Sequence, residues 1–444
     1  MVTTTLRPRS GVERWHFRLL AALLLAALVW PRLGASQVST PSSRTLGAPL
    51  TLDAAQAAAR SASAELAAAR EAVQVARGRE RQAAAVANPV ASYGTEQTSG
   101  GGVSNRQHIA SLEQPLEIAG QRAARRDAAR ARRAAEEARL ALIEFDVTFE
   151  VTRAFSTAIA TARQSALADQ ASREFELALR VSEERLSAGD ISGYAHRRLR
   201  LEAARYAVIR AEAALDRASA RRALAALLAV AVDSLPPLPD SLSPPPPVRD
   251  EELTALVARA AQSHPEVRIA EHEFAAAIAD ARLAARERVP VPSVSAGYKR
   301  EETVGIVPSF SGFVAGISIP LPLFDRRAGA IDAAGAESRR REAVATSLRR
   351  RIAREAADAC DAFRVAQSQH ARLARELGAE TRAVLTAAQV AYAEGEITLV
   401  EWLDAVRAYR ETEASFTSLG AEVLIRRAAL ERAVGAPIIA TPRN

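Results

Sequence analysis

Residues 188–192 read AGDIS and residues 394–398 read EGEIT, each set inside a long run of Ala, Arg, Glu and Leu. A chain so rich in helix formers has little reason to place a glycine there unless the helix must end. Gly189 and Gly395 can take the left-handed conformation that terminates a helix. Ser192 and Thr398 follow at the right distance to cap the next one. Each pentapeptide therefore predicts a tight turn between two helices, a form that any helical hairpin would use.

Working outward, the two turns sit at matching places in a duplicated unit. LDAAQAAARSASAELAAA from Leu52 matches LTALVARAAQSHPEVRIA from Leu253, and NPVASYG (88–94) matches VPSVSAG (291–297). QPLEIAGQRAARRDAA (114–129) matches IPLPLFDRRAGAIDAA (319–334). A repeat of this length is a duplicated domain rather than a solenoid motif. The expected layout is a signal peptide over 1–36, an N-terminal extension over 37–50 and a first repeat over 51–232. A stiff Pro-rich linker over 233–249, a second repeat over 250–435 and a tail over 436–444 complete it.

Each repeat reads as a helix of about 37 residues, two strand-like segments, a helix of about 65, the turn, and a helix of about 36. At 1.5 Å per residue the longest helix would measure roughly 100 Å, beyond any globular core. Aromatic residues make up only 5% of the chain, so such helices must pack through small side chains. Ile143, Val147, Val151, Phe155 and Ile159 recur every four residues as one apolar stripe. In the strand segments the alternation has period two. Val294, Ala296 and Tyr298 form one face, as do Phe313, Ala315, Ile317 and Ile319, with Ala91, Tyr93 and Thr95, then Ala110 and Leu112, in the first copy. Residues 99–105 and 303–309 have the composition of loops. Four strands with one apolar face are either two hairpins packed on the helices or part of a membrane barrel. Four cannot close a barrel, which needs about eight, so the second reading requires several chains.

Arg7, Arg9, Arg14 and Arg18 precede LLAALLLAALVW (19–30), which is followed by small residues: the pattern of a secretory leader, cleaved near Ala35 or Ser36. The leader accounts for much of the formal charge of +7, since five arginines (Arg32 included) less Glu13 make +4 and leave +3. Acid and base alternate along the helical stretches as on solvated faces, so nucleic acid is not an expected partner. Cys360 is the only cysteine, which rules out an intrachain disulfide. His108, His196, His264, His272 and His370 are scattered; no metal site and no cofactor are expected. No nucleophile motif, phosphate loop or paired catalytic carboxylate is present, and nothing reads as an enzyme.

The ordered set of features resembles the TolC-type outer-membrane efflux channels over nearly all of residues 50–435. The features are the duplication, the proline-led strands (Pro89, Pro292), the QPLEIAGQR and IPLPLFDRR junctions, and the glycine turns. The junctions are most similar to the heavy-metal and cation efflux branch. The resemblance implies a mainly α protein with a small β part. Long antiparallel helical hairpins would form an α-barrel, and four strands per chain would join a shared 12-stranded transmembrane β-barrel in a homotrimer. It also implies a passive exit duct in the outer membrane, contacting its lipid, with metal cations among its cargo. A periplasmic adaptor (membrane fusion protein) would couple it to an inner-membrane pump of the resistance-nodulation-division type. An exit channel for secreted polypeptides and a periplasmic coiled-coil adaptor or scaffold are the alternatives.

By the same resemblance Gly189, Asp190, Ile191, Gly395, Glu396 and Ile397 are the hairpin tips that meet the adaptor, and Glu401 and Asp404 ring the periplasmic entrance. Glu401 also lies three residues after Thr398, as a capping box requires, so its role stays open between cap and gate. The first copy carries Ala195 and Arg198 at the equivalent positions, which argues against a polar latch between the hairpins and for closure by packing.

Overall fold

The computed structural model describes residues 49–101, 103–242, 245–246, 248–304, 309–377 and 380–438. The expected leader, nearly all of the N-terminal extension and the end of the tail lie outside them. In the first repeat α1 (Leu52–Ala62) and α2 (Ala64–Ala83) lead to β1 (Val90–Gly100) and β2 (Val103–Pro115). Helices α3 (Gln121–Ala188) and α4 (Gly193–Leu227) follow. The second repeat has α5 (Asp250–Ser263), α6 (Pro265–Arg286), β3 (Ser293–Val304), β4 (Phe310–Ser318), α7 (Ala328–Leu377), α8 (Glu380–Glu394) and α9 (Leu399–Val434).

The order of elements recurs in the two copies, and α3 and α4 have about the expected lengths, with one correction shared by both copies. The first helix is two helices, because the chain leaves helical geometry at Ser63 (ψ 117°) and His264 (ψ 137°). The Ser63 hydroxyl accepts from the Leu66 N–H at 3.2 Å, starting α2. In the second copy Pro265 disfavours a helical His264, and His264 Nδ1 accepts from the Glu266 N–H at 3.1 Å. With 68 residues, α3 spans roughly 100 Å. It packs against α1, α2 and α4 of its own repeat and against α6 and α9 of the other, while α7 packs on α5, α6 and α9. In the half nearer the sheet the lateral order is α2, α3, α6, α7, which leaves α2 and α7 at the two edges.

Three buried clusters hold the helices together. Val151, Phe155 and Ile159 of the expected stripe pack with Ala55, Ala59 and Leu224. Leu235 of the Pro-rich linker is buried in the same cluster, and the Pro237 carbonyl accepts from the Leu50 N–H at 3.0 Å. The first part of that linker is therefore docked on the first repeat. Leu253, Val267, Ile352, Phe363 and Leu430 form the second cluster, and the third lies at the helical turns.

The strands form one antiparallel sheet in the order β1-β2-β3-β4. The ladder runs further than the loop composition of residues 99–105 implied: Gly100 pairs with Val103, and Gly101 turns the chain at φ 61°. β3 likewise extends to Val304. Cross-strand register aligns Tyr93, Ala110, Tyr298 and Phe313 in one row, with Leu112, Ala296 and Ala315 in the next. The alternation seen in sequence is thus one continuous apolar face, and it is open: Phe313 is 93% exposed and Ile317 74%. The outer strands β1 and β4 are exposed along their whole length.

Candidate functional site

The two glycine turns have the same geometry. Gly189 ends α3 at φ 86° and Gly395 follows α8 at φ 80°. The Asp190 N–H returns to the Arg185 carbonyl at 2.9 Å and the Glu396 N–H to the Ala391 carbonyl at 2.8 Å, the five-residue closure of a Schellman turn. Ser192 then caps α4 through the Ala195 N–H (3.2 Å), and Thr398 caps α9 through the Glu401 N–H (3.4 Å). Gly189, Asp190, Gly395 and Glu396 are exposed, while Ile191 and Ile397 are half-buried.

Both turns lie at one end of the molecule, because a single aromatic cluster joins the two hairpins just behind them. Phe175 of α3 stacks on Tyr206 of α4 with ring centroids 4.2 Å apart, and tilts against Trp402 of α9 at 5.5 Å. Tyr392 of α8 stacks on the other side of Trp402 at 5.2 Å. Leu199, Leu385, Leu403 and Val406 complete the packing. The Arg410 guanidinium sits 4.5 Å over the Tyr206 ring, a cation–π contact across the same seam.

Glu401 and Asp404 differ in what holds them. The Glu401 carboxylate accepts from the Thr398 N–H at 2.7 Å, completing the reciprocal capping box. That backbone hydrogen bond holds its carboxyl below the ordinary value of 4.5. The Asp404 side chain is 68% exposed, and its one ion-pair partner among the described residues is Arg407 at 3.9 Å. The structure therefore gives Glu401 a capping task and leaves Asp404 facing solvent.

Beside this packing, the two hairpins are joined by an ion pair that the sequence comparison missed. Arg407 of α9 donates to Glu202 Oε1 of α4, joining the second hairpin to the first. Glu202 is only 8% exposed. Its other oxygen is buried without a hydrogen-bond partner. The latch lies further along each helix than Ala195, Arg198, Glu401 and Asp404, so comparing the equivalent tip positions could not find it. No local signal marked Glu202, since α4 also carries Glu212, Asp216 and several arginines. Among the described residues no cluster of three or more His, Cys, Asp and Glu could hold a metal ion. None of the described helices is long and apolar enough to cross a membrane.

An open four-stranded sheet with one apolar face thus stands at one end of paired helices about 100 Å long. The Outer membrane efflux protein family model matches residues 256–436. The chain is 26% identical to the cobalt-zinc-cadmium resistance protein CzcC of Cupriavidus metallidurans, over 93% of this chain and 98% of that protein. Among solved structures, a membrane protein from Pseudomonas aeruginosa aligns with a TM-score of 0.72 at 20% identity, over 88% of this chain and 91% of that one. CusC, described in terms of folding and transmembrane channel formation, aligns with a TM-score of 0.67 at 20% identity, over 90% and 96%. Residues 256–436 thus match the outer membrane efflux protein family, and the chain shares the fold of these solved membrane proteins over most of its length.

Proposed function

We propose that three copies of this chain assemble into a passive exit duct that carries metal cations from a periplasmic adaptor and an inner-membrane pump to the outside. The observation that carries the assembly is the sheet. It has four strands, two unpaired outer strands and an apolar face open to solvent, so its backbone edges demand partners in a membrane. Pairing β4 of one copy with β1 of the next, three times, closes twelve strands.

The helices support the same reading. Tyr194, Leu201, Val208 and Leu215 of α4 recur every seven residues and are 74%, 70%, 58% and 69% exposed. A heptad row of that kind is the seam of a coiled coil lacking its partner helix. The metal cargo is supported by the likeness to a cobalt-zinc-cadmium resistance protein along nearly the whole chain. The exposed turns at Gly189, Asp190, Ile191, Gly395, Glu396 and Ile397 are the surface offered to the adaptor. Asp404, repeated three times around the entrance, supplies the carboxylates that would favour cations there.

The test is the mass and location of the mature protein extracted in detergent. A heat-sensitive trimer in the outer-membrane fraction is the expected result, together with greater cobalt, zinc or cadmium sensitivity of cells lacking the chain. A soluble periplasmic monomer would overturn the proposal.

A further inference from the structure

On the edge of α7 that faces away from its own repeat, Arg339, Arg350 and Arg354 border a shallow notch of about 760 Å³. Ala343, Thr346 and Ser347 line it between the arginines, and Glu342 stands on the flank. All three arginines are exposed, and none makes an ion pair among the described residues. The neighbouring arginines differ, since Arg340 and Arg341 bind Glu337, Arg349 binds Glu271 and Arg351 binds Glu266. Three arginines without an ion pair, against the single carboxylate of Glu342, leave the notch net positive and open to an acidic knob.

The opposite edge of the protomer carries such a knob. Helix α2 buries Leu66, Ala69, Val73 and Ala76 against α3, which turns Ala64, Ala67, Glu71, Val75 and Gly78 outward. Glu71 is exposed and has no ion pair among the described residues; it is the one charge in a row of small or apolar side chains.

Ion pairs within the protomer set the relative heights of these two edges. Glu273 of α6 binds both Arg139 of α3 and Arg341 of α7, so those two arginines are level. On the other side of α3, Glu80 binds Arg133 and Arg77 approaches Glu137. Counting along α2 from these ties, Glu71 lies roughly 5 Å from the level of Arg341 toward the turns. That is the height of Ala343 to Ser347, between the two upper arginines. Rotation about an axis along the helices keeps each residue at its height.

We infer that in the trimer Glu71 of one copy seats in the notch between Arg339 and Arg350 of the next, fixing the register of neighbouring helical walls. The inference rests on the trimeric reading above and goes beyond it by naming the contact. Arg79, two turns along the same edge of α2, would meet the notch arginines if the walls slipped by that distance, so like charges select against the wrong register.

The test uses the full-length protein with Cys360 replaced by Ala, carrying Glu71→Cys and Ser347→Cys, beside a control with Gly78→Cys and Ser347→Cys. Oxidation in membranes is expected to link the first pair between copies and not the control. In a second experiment Glu71→Arg should speed dissociation of the detergent-extracted trimer by about tenfold, a modest effect as expected of three partly exposed pairs. Adding Arg350→Glu should restore the original rate. A wild-type trimer in which the control pair links instead, or in which the charge reversal has no effect, overturns the register and leaves the trimer standing. A monomeric wild-type protein overturns both.

Discussion

Arg407 and Glu202 form an ion pair between the two hairpins of one chain, immediately behind the turns, and leave the other carboxylate oxygen of Glu202 buried without a hydrogen bond, 4.0 Å from the Arg205 guanidinium. Removing one partner of such a pair costs more than removing both, because a buried charge is stranded. Arg407→Ala should therefore loosen α9 from α4, by about 3 kcal/mol if the site behaves as buried pairs usually do. Single-channel recordings should show a larger and less stable closed-state conductance. Glu202→Leu combined with Arg407→Leu should lie closer to wild type than Arg407→Ala; equal damage from both would assign closure to the aromatic cluster instead.

Asp404 and Glu401 should separate in the same recordings. Asp404→Ala should reduce preference for cations while leaving the helix intact, since its side chain makes no cap. Glu401→Ala should mainly fray the first turn of α9, seen as faster amide exchange at Thr398 to Trp402. The pH dependence of that turn follows from the depressed Glu401 carboxyl. The box is fully formed above the ordinary value of 4.5 and weakens as pH falls below it and through the folded value. Protection at the turn, corrected for intrinsic exchange, that does not change between pH 6 and about pH 3 would remove Glu401 from the cap.

How much of this was legible beforehand depends on the range of the interaction. The turns could be read because glycine and a hydroxyl cap are local requirements, and both appear within five residues. The apolar sheet face could be read in β3 and β4, where Val294, Ala296, Tyr298, Phe313 and Ile317 alternate cleanly. It was weaker in β1, where Thr95 follows Tyr93. The breaks at Ser63 and His264 were local too, signalled by the Ser63 hydroxyl in the first copy and by Pro265 in the second, but long alanine-rich helical runs on both sides masked them. The Glu202–Arg407 latch was not legible, because it joins residues far apart in sequence and only the packing of Phe175 against Tyr206 and Trp402 brings their helices together.

His264 gives a second pH-dependent site, away from the turns. It is 3% exposed, accepts from the Glu266 N–H through Nδ1 and reaches the Arg432 carbonyl through Nε2 at 3.0 Å. Those roles require the neutral ring with its proton on Nε2, and burial pushes its pKa below the ordinary 6.5. The neutral form is favoured on folding, so stability is complete above pH 6.5 and declines as pH falls from there toward the folded value. His264→Ser copies the cap that Ser63 supplies in the first repeat. It should flatten the dependence of thermal unfolding between pH 7 and 5, and an unchanged slope would place the titration elsewhere.

Gly395 separates assembly from folding. A side chain built there would meet no atom within 4 Å, and the same is true at Gly189. The only local cost of a substitution is the left-handed backbone, about 1 kcal/mol or somewhat more for a β-branched residue. Gly395→Val should therefore leave barrel insertion and trimer mass nearly unchanged, since the strands and the first two buried clusters are remote from it. It should nevertheless weaken co-purification with the adaptor, because the branched side chain projects from an exposed tip. Gly395→Asn, which tolerates the left-handed conformation, should disturb the turn less and retain more adaptor binding than Gly395→Val. Equal loss of insertion and adaptor binding in the valine variant would make Gly395 a folding residue and withdraw it from the docking surface.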